Sequence, residues 1–267
     1  MQINKAPATL WRRLAAALGW TRSSYVLMSG FAATLFVIGA IWWPLAEDAL
    51  SYVDWSRPLW LQMDWLLLFD FAVMSLLIMA GADLKADALL VFVGLVGGLV
   101  IESWGTQTEL WVYYTSERPP LWIVPAWPIA SLSIDRLTRL LQRLARRVPV
   151  TRSAAPVLYW LIFPTFYALM LAFVWPTRDK SLTAMALLLC ALLTLSPTDH
   201  PLAVLTFVAG SGLGYFLELW GTTRLCWTYY TRQTPPLFAV LAHGMAAVAF
   251  WRAGLLVKQL WGRMLAK

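Results

Sequence analysis

The chain has 267 residues, of which 60% are hydrophobic and only 13% are charged, and its formal net charge is +7. Soluble globular domains carry about 25% charged residues, so this composition excludes a pair of ordinary soluble domains and predicts a helical protein with many membrane spans. The basic residues gather in a few segments beside apolar stretches, which argues against nucleic acid as the binding partner.

The first 23 residues form a basic tail, and its stretch ATLWRRLAAALGW is typical of an amphipathic helix on a membrane surface. Apolar stretches of about transmembrane length follow along the whole chain. We predict eight spans, at 24–44, 62–81, 88–105, 120–135, 156–175, 181–197, 201–220 and 236–257. The fourth is short and contains Pro125 and Pro128, so we expect it to be kinked or tilted.

The basic residues orient the predicted bundle, because cytoplasmic loops of membrane proteins are enriched in lysine and arginine. With eight spans, the N-terminal tail, Lys85, the segment 136–152 and the C-terminal tail share one side, and they hold 15 of the 21 basic residues. We therefore predict a multi-pass protein of a bacterial-type inner (plasma) membrane with both termini in the cytoplasm. Binding of anionic lipid by the arginine run is compatible with this orientation.

Two segments of the chain repeat each other without a gap, WGTQTELWVYYT from residue 104 and WGTTRLCWTYYT from residue 220. A glutamate precedes each copy, and their offset is 218 − 102 = 116 residues. We infer the duplication of a four-span unit, and an even number of spans makes the two repeats parallel. The predicted fold is an all-α integral membrane protein of about eight transmembrane helices in two parallel four-helix repeats. Repeat 1 covers 24–145, a basic cytoplasmic linker covers 146–155, and repeat 2 covers 156–260.

A stripe of glycines leads to each glutamate. Positions 94, 98 and 102 step by four and share one helix face, as do positions 210, 214 and 218. Small residues let a neighbouring helix approach closely in a membrane. If the third and seventh spans meet, the two glutamates lie at equal depth on facing helices.

Glu102, Glu218 and Asp70 are the candidate catalytic residues, because a carboxylate within or at the edge of a span is costly and marks a functional site by default. Two interpretations of the glutamates stay open. Each could accept hydrogen bonds from the turn amides, the threonine hydroxyl or a tyrosine, and so fix its loop. Alternatively both could line one cavity, where one would hold a proton and serve as a general acid. For Asp70, a structural hydrogen bond and a catalytic or transport role are both open.

The aromatic residues of the two repeated loops, with one threonine from each turn, are the candidate substrate-binding residues. They are Trp104, Thr106, Trp111, Tyr113, Tyr114, Trp220, Thr222, Trp227, Tyr229 and Tyr230. An aromatic belt at the membrane interface explains such residues in general, but it does not require the same residues at the same positions of both copies. Aromatic faces stabilise cations, so a proton donor among them suits protonation of an isoprenoid double bond. The same walls would also suit a lipid headgroup or a quaternary amine.

Signatures of common enzymes and metal sites are missing, since the chain contains no GxSxG, HExxH, Walker loop or CxxCH motif. With two cysteines and two histidines, we predict no metal and no cofactor. We expect no disulfide between Cys190 and Cys226, and we interpret His243 as a buried, hydrogen-bonded imidazole rather than a ligand. Asp83 and Asp199 are predicted to be helix caps.

A pattern of Glu-x-x-Gly, then Trp-x-Tyr, then a proline-led apolar helix is present at Glu102, Gly105, Trp111, Tyr113 and Pro119. It resembles polytopic carotenoid-biosynthesis membrane proteins of the hydratase and lycopene-cyclase-like kind, and also uncharacterised bacterial membrane families. The resemblance implies an isoprenoid or carotenoid substrate and makes the two glutamates the acid candidates.

The leading functional expectation is a protein that binds or modifies a hydrophobic lipid at an outer-leaflet site between the repeats. The alternative is a non-enzymatic subunit or scaffold whose aromatic outer loops dock a membrane-protein partner, and a transporter is the third. Whether the protein is an enzyme stays open. A cavity that encloses both glutamates would favour lipid chemistry or transport, whereas local hydrogen bonds to the loops would favour the scaffold.

Overall fold

A computed structural model describes residues 15–147 and 150–265. In the described part all regular secondary structure is helical apart from two strands of three residues each, and turns and loops join these elements. It divides into two compact units, Met1–Ala88 and Leu89–Lys267. The predicted surface helix of the basic N-terminal tail lies largely outside the described residues.

The first unit contains two helices that pack against each other and a shorter helix that lies between them in the sequence. Its elements are α1 (Arg22–Ile41), α2 (Trp43–Ser51), a 3-10 turn (Leu59–Leu61) and α3 (Trp65–Met79). Thr21 and Ser24 cap the start of α1 reciprocally, and the Asp64 carboxylate caps α3 by accepting from two backbone amides. Phe31 stacks on Phe71 between α1 and α3, with ring centroids 5.9 Å apart.

Among the described residues, the second unit contains six α-helices and the two strands. Its elements are α4 (Leu84–Gln107, which begins at the end of the first unit), β1 (Trp111–Tyr113), α5 (Ala126–Ala145), α6 (Val150–Val174), a 3-10 turn (Trp175–Thr177), α7 (Ser181–Leu195), α8 (His200–Thr223), β2 (Trp227–Tyr229) and α9 (Leu237–Leu265). Helix α8 is central in this unit, because it packs against α5, α6 and α9. The predicted caps are confirmed, since Asp199 accepts from an amide in the first turn of α8 and Asp83 from two amides at the start of α4.

Five helices in the described part of the chain are long and apolar enough to cross a membrane. They are Arg22–Ile41, Leu84–Gln107, Ser153–Thr177, His200–Thr223 and Leu237–Trp261. Helices α3 and α7 are apolar but have only 15 residues each, which corresponds to roughly 22 Å. An all-helical fold with several helices long and apolar enough to cross a membrane, as the composition predicts, is therefore present.

The fourth predicted span differs most from the structure. It was expected at 120–135, but α5 begins at Ala126 and continues to Ala145. Residues 121–125 form turns, and the helix begins directly after its N-cap residue, Pro125. Within the helix, Asp135 and Arg136 form an ion pair of 2.6 Å. Part of the arginine run predicted as a cytoplasmic segment is therefore helical.

The glycine stripes face α5 and α9. The atoms nearest to a Cβ added at Gly98 belong to Trp127 of α5, and at Gly210 such a Cβ would lie 2.8 Å from the Cα of Gly244 in α9. At Gly214 the nearest atoms belong to His243. The glycines thus bring a later helix close to each glutamate-bearing helix, and they place Trp127 and His243 beside the two glutamates.

Three pairs of elements recur at one offset. From α3 to α7 the first residues differ by 181 − 65 = 116, from α4 to α8 by 200 − 84 = 116, and from β1 to β2 by 227 − 111 = 116. The last residues of each pair differ by the same number. The offset found in the sequence is therefore also the offset of these secondary-structure elements.

Candidate functional site

The two repeated loops pair with each other as strands. β1 and β2 are antiparallel, with Trp111 opposite Tyr229, Val112 opposite Thr228 and Tyr113 opposite Trp227. The central pair joins two residues that are equivalent in the repeat, so the pairing is symmetric in the way of a twofold interface. A residue of positive φ lies two positions before each strand, Glu109 (62°) before β1 and Leu225 (57°) before β2. The paired strands place the aromatic side chains of both loops over the ends of α4 and α8.

Glu102 accepts three hydrogen bonds from aromatic side chains. Its Oε2 accepts from the indole N–H of Trp111 (3.1 Å) and the hydroxyl of Tyr113 (3.0 Å), both in β1. Its Oε1 accepts from the indole N–H of Trp127 in α5 (3.0 Å). The residue is only 4% exposed. Since an indole can only donate, both carboxylate oxygens act as acceptors.

Glu218 has the equivalent arrangement with one exchange. Trp227 donates to Oε2 (2.9 Å), and Tyr229 donates to Oε1 (2.9 Å). The third partner is Nε2 of His243 in α9, 3.0 Å from Oε1, where the first half has Trp127. Glu218 is also 4% exposed. Each glutamate is therefore held by one tryptophan and one tyrosine of its own strand and by one residue of a later helix.

The partners of one glutamate contact the partners of the other. Ring centroids lie 5.8 Å apart for Trp111 and Tyr229 and 5.7 Å apart for Tyr113 and Trp227. Trp127 and His243 stack at 5.6 Å with an interplanar angle of 18°. We call this set the carboxylate cluster. Its members are Glu102, Trp111, Tyr113, Trp127, Glu218, Trp227, Tyr229 and His243.

The phenols of the cluster are buried donors. Burial, together with the neighbouring glutamate, holds the pKa of Tyr113 and of Tyr229 well above the usual range for tyrosine. Both hydroxyls therefore stay protonated and donate to the carboxylates. The strand aromatics Trp111, Tyr113, Trp227 and Tyr229 are all less than 10% exposed, so an aromatic belt facing lipid does not explain them.

The Trp-Gly-Thr turns fit closely under the strand tryptophans. The atoms nearest to a Cβ at Gly105 belong to the Trp111 indole, and those nearest to a Cβ at Gly221 belong to the Trp227 indole. A side chain at either glycine would therefore displace an indole that donates to a glutamate. The hydroxyls of Thr106 and Thr222 donate to the backbone carbonyls of the two glutamates at 2.6 Å.

The other predicted aromatic residues are arranged around the carboxylate cluster or at its surface. Trp104 and Trp220 pack edge-on against the strand tryptophans at 5.9 and 6.0 Å, and Trp104 also donates to Thr183. Tyr114 and Tyr230 are 52% and 43% exposed, and the Tyr230 hydroxyl donates to the carbonyl of Phe173 at 2.6 Å. The loops thus present two tyrosines outward, bury the four strand aromatics and leave Trp104 and Trp220 partly buried.

Asp70, the third predicted carboxylate, is not a member of the carboxylate cluster. It lies in α3 of the first unit and is 3% exposed. Its Oδ2 is without a hydrogen-bond partner among the residues that the structure describes.

A metal site is not found either, because the described residues contain no group of three or more His, Cys, Asp or Glu side chains that could hold an ion. A small cavity of about 40 Å³ opens beside β1, and its lining does not include either glutamate. The lining residues are Val112, Tyr113, Ser116, Glu117 and Arg118. Comparison of the chain with known protein families, curated proteins and solved structures finds no match.

Trp127 and His243 are the members of the carboxylate cluster that the sequence reasoning did not assign to the site. Each lies 25 residues after its glutamate, and the common offset of 116 already aligned them with each other. The expected hydrogen bond of the His243 imidazole is present in its contact with Glu218, but the ring is only partly buried. Its role as the counterpart of a tryptophan donor follows only from the packing of α9 on the glycine stripe.

Proposed function

We propose that this chain is a non-enzymatic subunit or scaffold of a membrane complex, in which the carboxylate cluster holds the two aromatic loops as one rigid platform. The observation that supports this function is that each buried glutamate lies within hydrogen-bond distance of three aromatic side chains of the protein itself. Buried polar groups that are fully satisfied make a site rigid.

Lipid chemistry at the glutamates is the rival proposal, and the hydrogen bonds count against it. A general acid must carry a proton and reach the substrate, whereas the oxygens of Glu102 and Glu218 are occupied by donors from the protein. An isoprenoid or carotenoid substrate, as the resemblance implies, would require these aromatic partners to move away from the carboxylates. Transport through the same residues would require the same movement.

For the membrane arrangement we propose eight spans in two parallel four-helix repeats. Five long apolar helices and the two shorter ones, α3 and α7, supply seven of them, and α5 is the eighth. The common offset of 116 residues supports the repeats. The distribution of basic residues supports a bacterial-type inner membrane, with both termini in the cytoplasm and the paired loops on the outer side.

The partner would dock on the outer face of the paired loops. Tyr114 and Tyr230 directly follow β1 and β2 at equivalent positions, and each exposes about half of its surface. Tyrosine is enriched at protein interfaces because it combines a large apolar body with a polar tip. A partner that contacts one tyrosine of this symmetric platform is expected to contact the other as well.

Photo-crosslinking in the native membrane tests the platform. A photoreactive residue at Tyr114 and, in a second variant, at Tyr230 is expected to capture one and the same protein. Leu189, which is 50% exposed on α7, is the matched control and is expected to capture lipid. Capture of unrelated proteins at the two loop positions would contradict a shared platform.

Mass spectrometry of co-purifying lipids tests the rival. The lipids of the wild type are compared with those of Glu102→Gln and Glu218→Gln, after circular dichroism has established that each variant is folded. Under our proposal the lipid composition is the same in all three proteins. A specific isoprenoid or other lipid whose amount or chemical form changes in a folded variant would establish lipid chemistry at the glutamates instead.

A further inference from the structure

The end of α5 and the two residues after it carry an exposed basic face. Arg143 lies four residues after Arg139 in the helix, and Arg146 and Arg147 lie three and four residues after Arg143, directly beyond the last helical residue Ala145. Arg146 is the C-cap and keeps a right-handed helical backbone. Arg139 pairs with Asp135 at 2.9 Å. The other three are exposed, and within residues 15–147 and 150–265 none of them forms an ion pair with a carboxylate. The sequence holds no acidic residue between Asp135 and Asp179.

An exposed apolar stripe runs beside this basic face. Leu140 and Leu144 are 46% and 49% exposed on α5. The end of α9 repeats the arrangement at the offset of 116, because Leu256 and Leu260 are 59% and 58% exposed. There the exposed cations Lys258 and Arg263 and the exposed Trp261 and Met264 accompany the leucines. Both helices thus end in a basic amphipathic segment.

The basic face of α5 lies far from the carboxylate cluster along the helix. Trp127, which donates to Glu102, and Arg143 are 143 − 127 = 16 residues apart, which is roughly 24 Å in an α-helix. The hydrocarbon core of a bilayer is about 30 Å thick. If the carboxylate cluster lies near one membrane boundary, the arginines therefore lie near the other, at the depth of the lipid headgroups.

We propose that the basic face formed by Arg143, Arg146 and Arg147 binds the headgroups of anionic phospholipids. The headgroup region offers anionic phosphates to the arginines and hydrocarbon to the neighbouring leucines, and the amphipathic segment presents both kinds of side chain together. The carboxylates of an acidic protein would pair with the arginines but would not bury the exposed leucines beside them. This surface lies at the other end of α5 from the carboxylate cluster, and its function does not depend on the scaffold proposed above.

Native mass spectrometry with two lipids tests the surface. The full-length protein in detergent is incubated with equal amounts of phosphatidylglycerol and phosphatidylcholine that carry the same acyl chains, so that only the headgroup charge differs. The test variant is Arg143→Gln/Arg146→Gln/Arg147→Gln. The matched control removes three arginines from the other side of the predicted membrane, as Arg118→Gln/Arg178→Gln/Arg232→Gln.

The wild type and the control are expected to retain phosphatidylglycerol in preference to phosphatidylcholine. Each cation near an anionic surface contributes roughly fivefold, so the test variant should reduce the ratio of the two bound lipids by at least about tenfold. High salt should reduce the wild-type ratio as well. An unchanged ratio in the test variant, or an equal reduction in the control, would overturn the proposal. Absence of any preference in the wild type, together with binding of a polyglutamate peptide at the same arginines, would assign the surface to an acidic protein instead.

Discussion

Glutamine in place of Glu102 is expected to destabilise the protein more than glutamine in place of Glu218, although the two residues are equivalent in the repeat. At Glu102 one oxygen accepts from Trp127, and the other accepts from Trp111 and Tyr113. An indole N–H can only donate. The NH2 group of a glutamine therefore faces the indole N–H of Trp127 in one orientation of the amide and that of Trp111 in the other. In both orientations one indole donor is left without an acceptor.

At Glu218 the same conflict is avoidable. Trp227 alone donates to Oε2, while Oε1 faces the hydroxyl of Tyr229 and the Nε2 atom of His243. A hydroxyl and a neutral imidazole can both accept, so the glutamine amide can donate to them while its carbonyl accepts from the indole. A buried donor without an acceptor costs about 1–3 kcal/mol. We expect the free energy of unfolding to fall by that much more for Glu102→Gln than for Glu218→Gln.

Reversible unfolding of the full-length protein in mixed detergent and dodecyl sulfate micelles, followed by far-UV circular dichroism, measures both free energies. Asp179→Asn, which changes an exposed carboxylate of the same unit, is the control and is expected to leave the free energy of unfolding unchanged. Equal losses for the two glutamine variants, or a larger loss for Glu218→Gln, would refute the donor assignment at the glutamates.

Three further predictions concern other contacts of the second unit. Gly221→Ala should lower the unfolding temperature, because its Cβ would enter the strand indole, whereas Gly212→Ala should not, because it faces open space. Arg252→Gln should reduce the hydrogen-exchange protection of amides at the end of α7, because the Leu193 carbonyl and the carbonyl and hydroxyl of Ser196 accept from that guanidinium. The hydrogen bond from Arg118 holds the pKa of Glu109 below its usual value, so the pair stabilises the fold above the ordinary carboxyl pKa and loses this effect as the pH falls through the folded-state value. In Arg118→Gln, a titration followed by NMR should show the pKa of Glu109 returning upward.

The helical architecture was predictable because hydropathy and capping residues both mark helix positions. Asp199 and the proline-containing turn before it set the start of α8, and the structure begins that helix at His200, one residue before the predicted limit. The predicted limits of the fourth span are wrong for a reason that composition hides. Helix α5 buries polar residues that include Ser133 and Thr138 and contains Asp135 beside Arg136, so its length does not follow from an apolar run.

The glutamates and their tyrosine partners could be found from the repeat, but the third partner could not. The hydrogen bonds of Tyr113 and Tyr229 to the glutamates agree with the interpretation that each carboxylate fixes its own loop. Trp127 and His243 come from helices whose position depends on where the glycine stripes are covered, and this is a property of tertiary packing. The symmetric pairing of β1 with β2 also lacks a sequence signal, since three residues are too few to show an alternation of polar and apolar positions.

The difference between Trp127 and His243 changes the hydrogen-bond chemistry of the carboxylate cluster. Five of the six partners of the two glutamates are tryptophan or tyrosine side chains that donate through an indole N–H or a hydroxyl. The sixth is the imidazole of His243, whose Nε2 lies 3.0 Å from Oε1 of Glu218. An indole can only donate, whereas a neutral imidazole has one nitrogen that donates and one that accepts. The exchange of one tryptophan for one histidine therefore makes the two halves of the carboxylate cluster chemically different, and this is why the same glutamine substitution is expected to have unequal effects at Glu102 and Glu218.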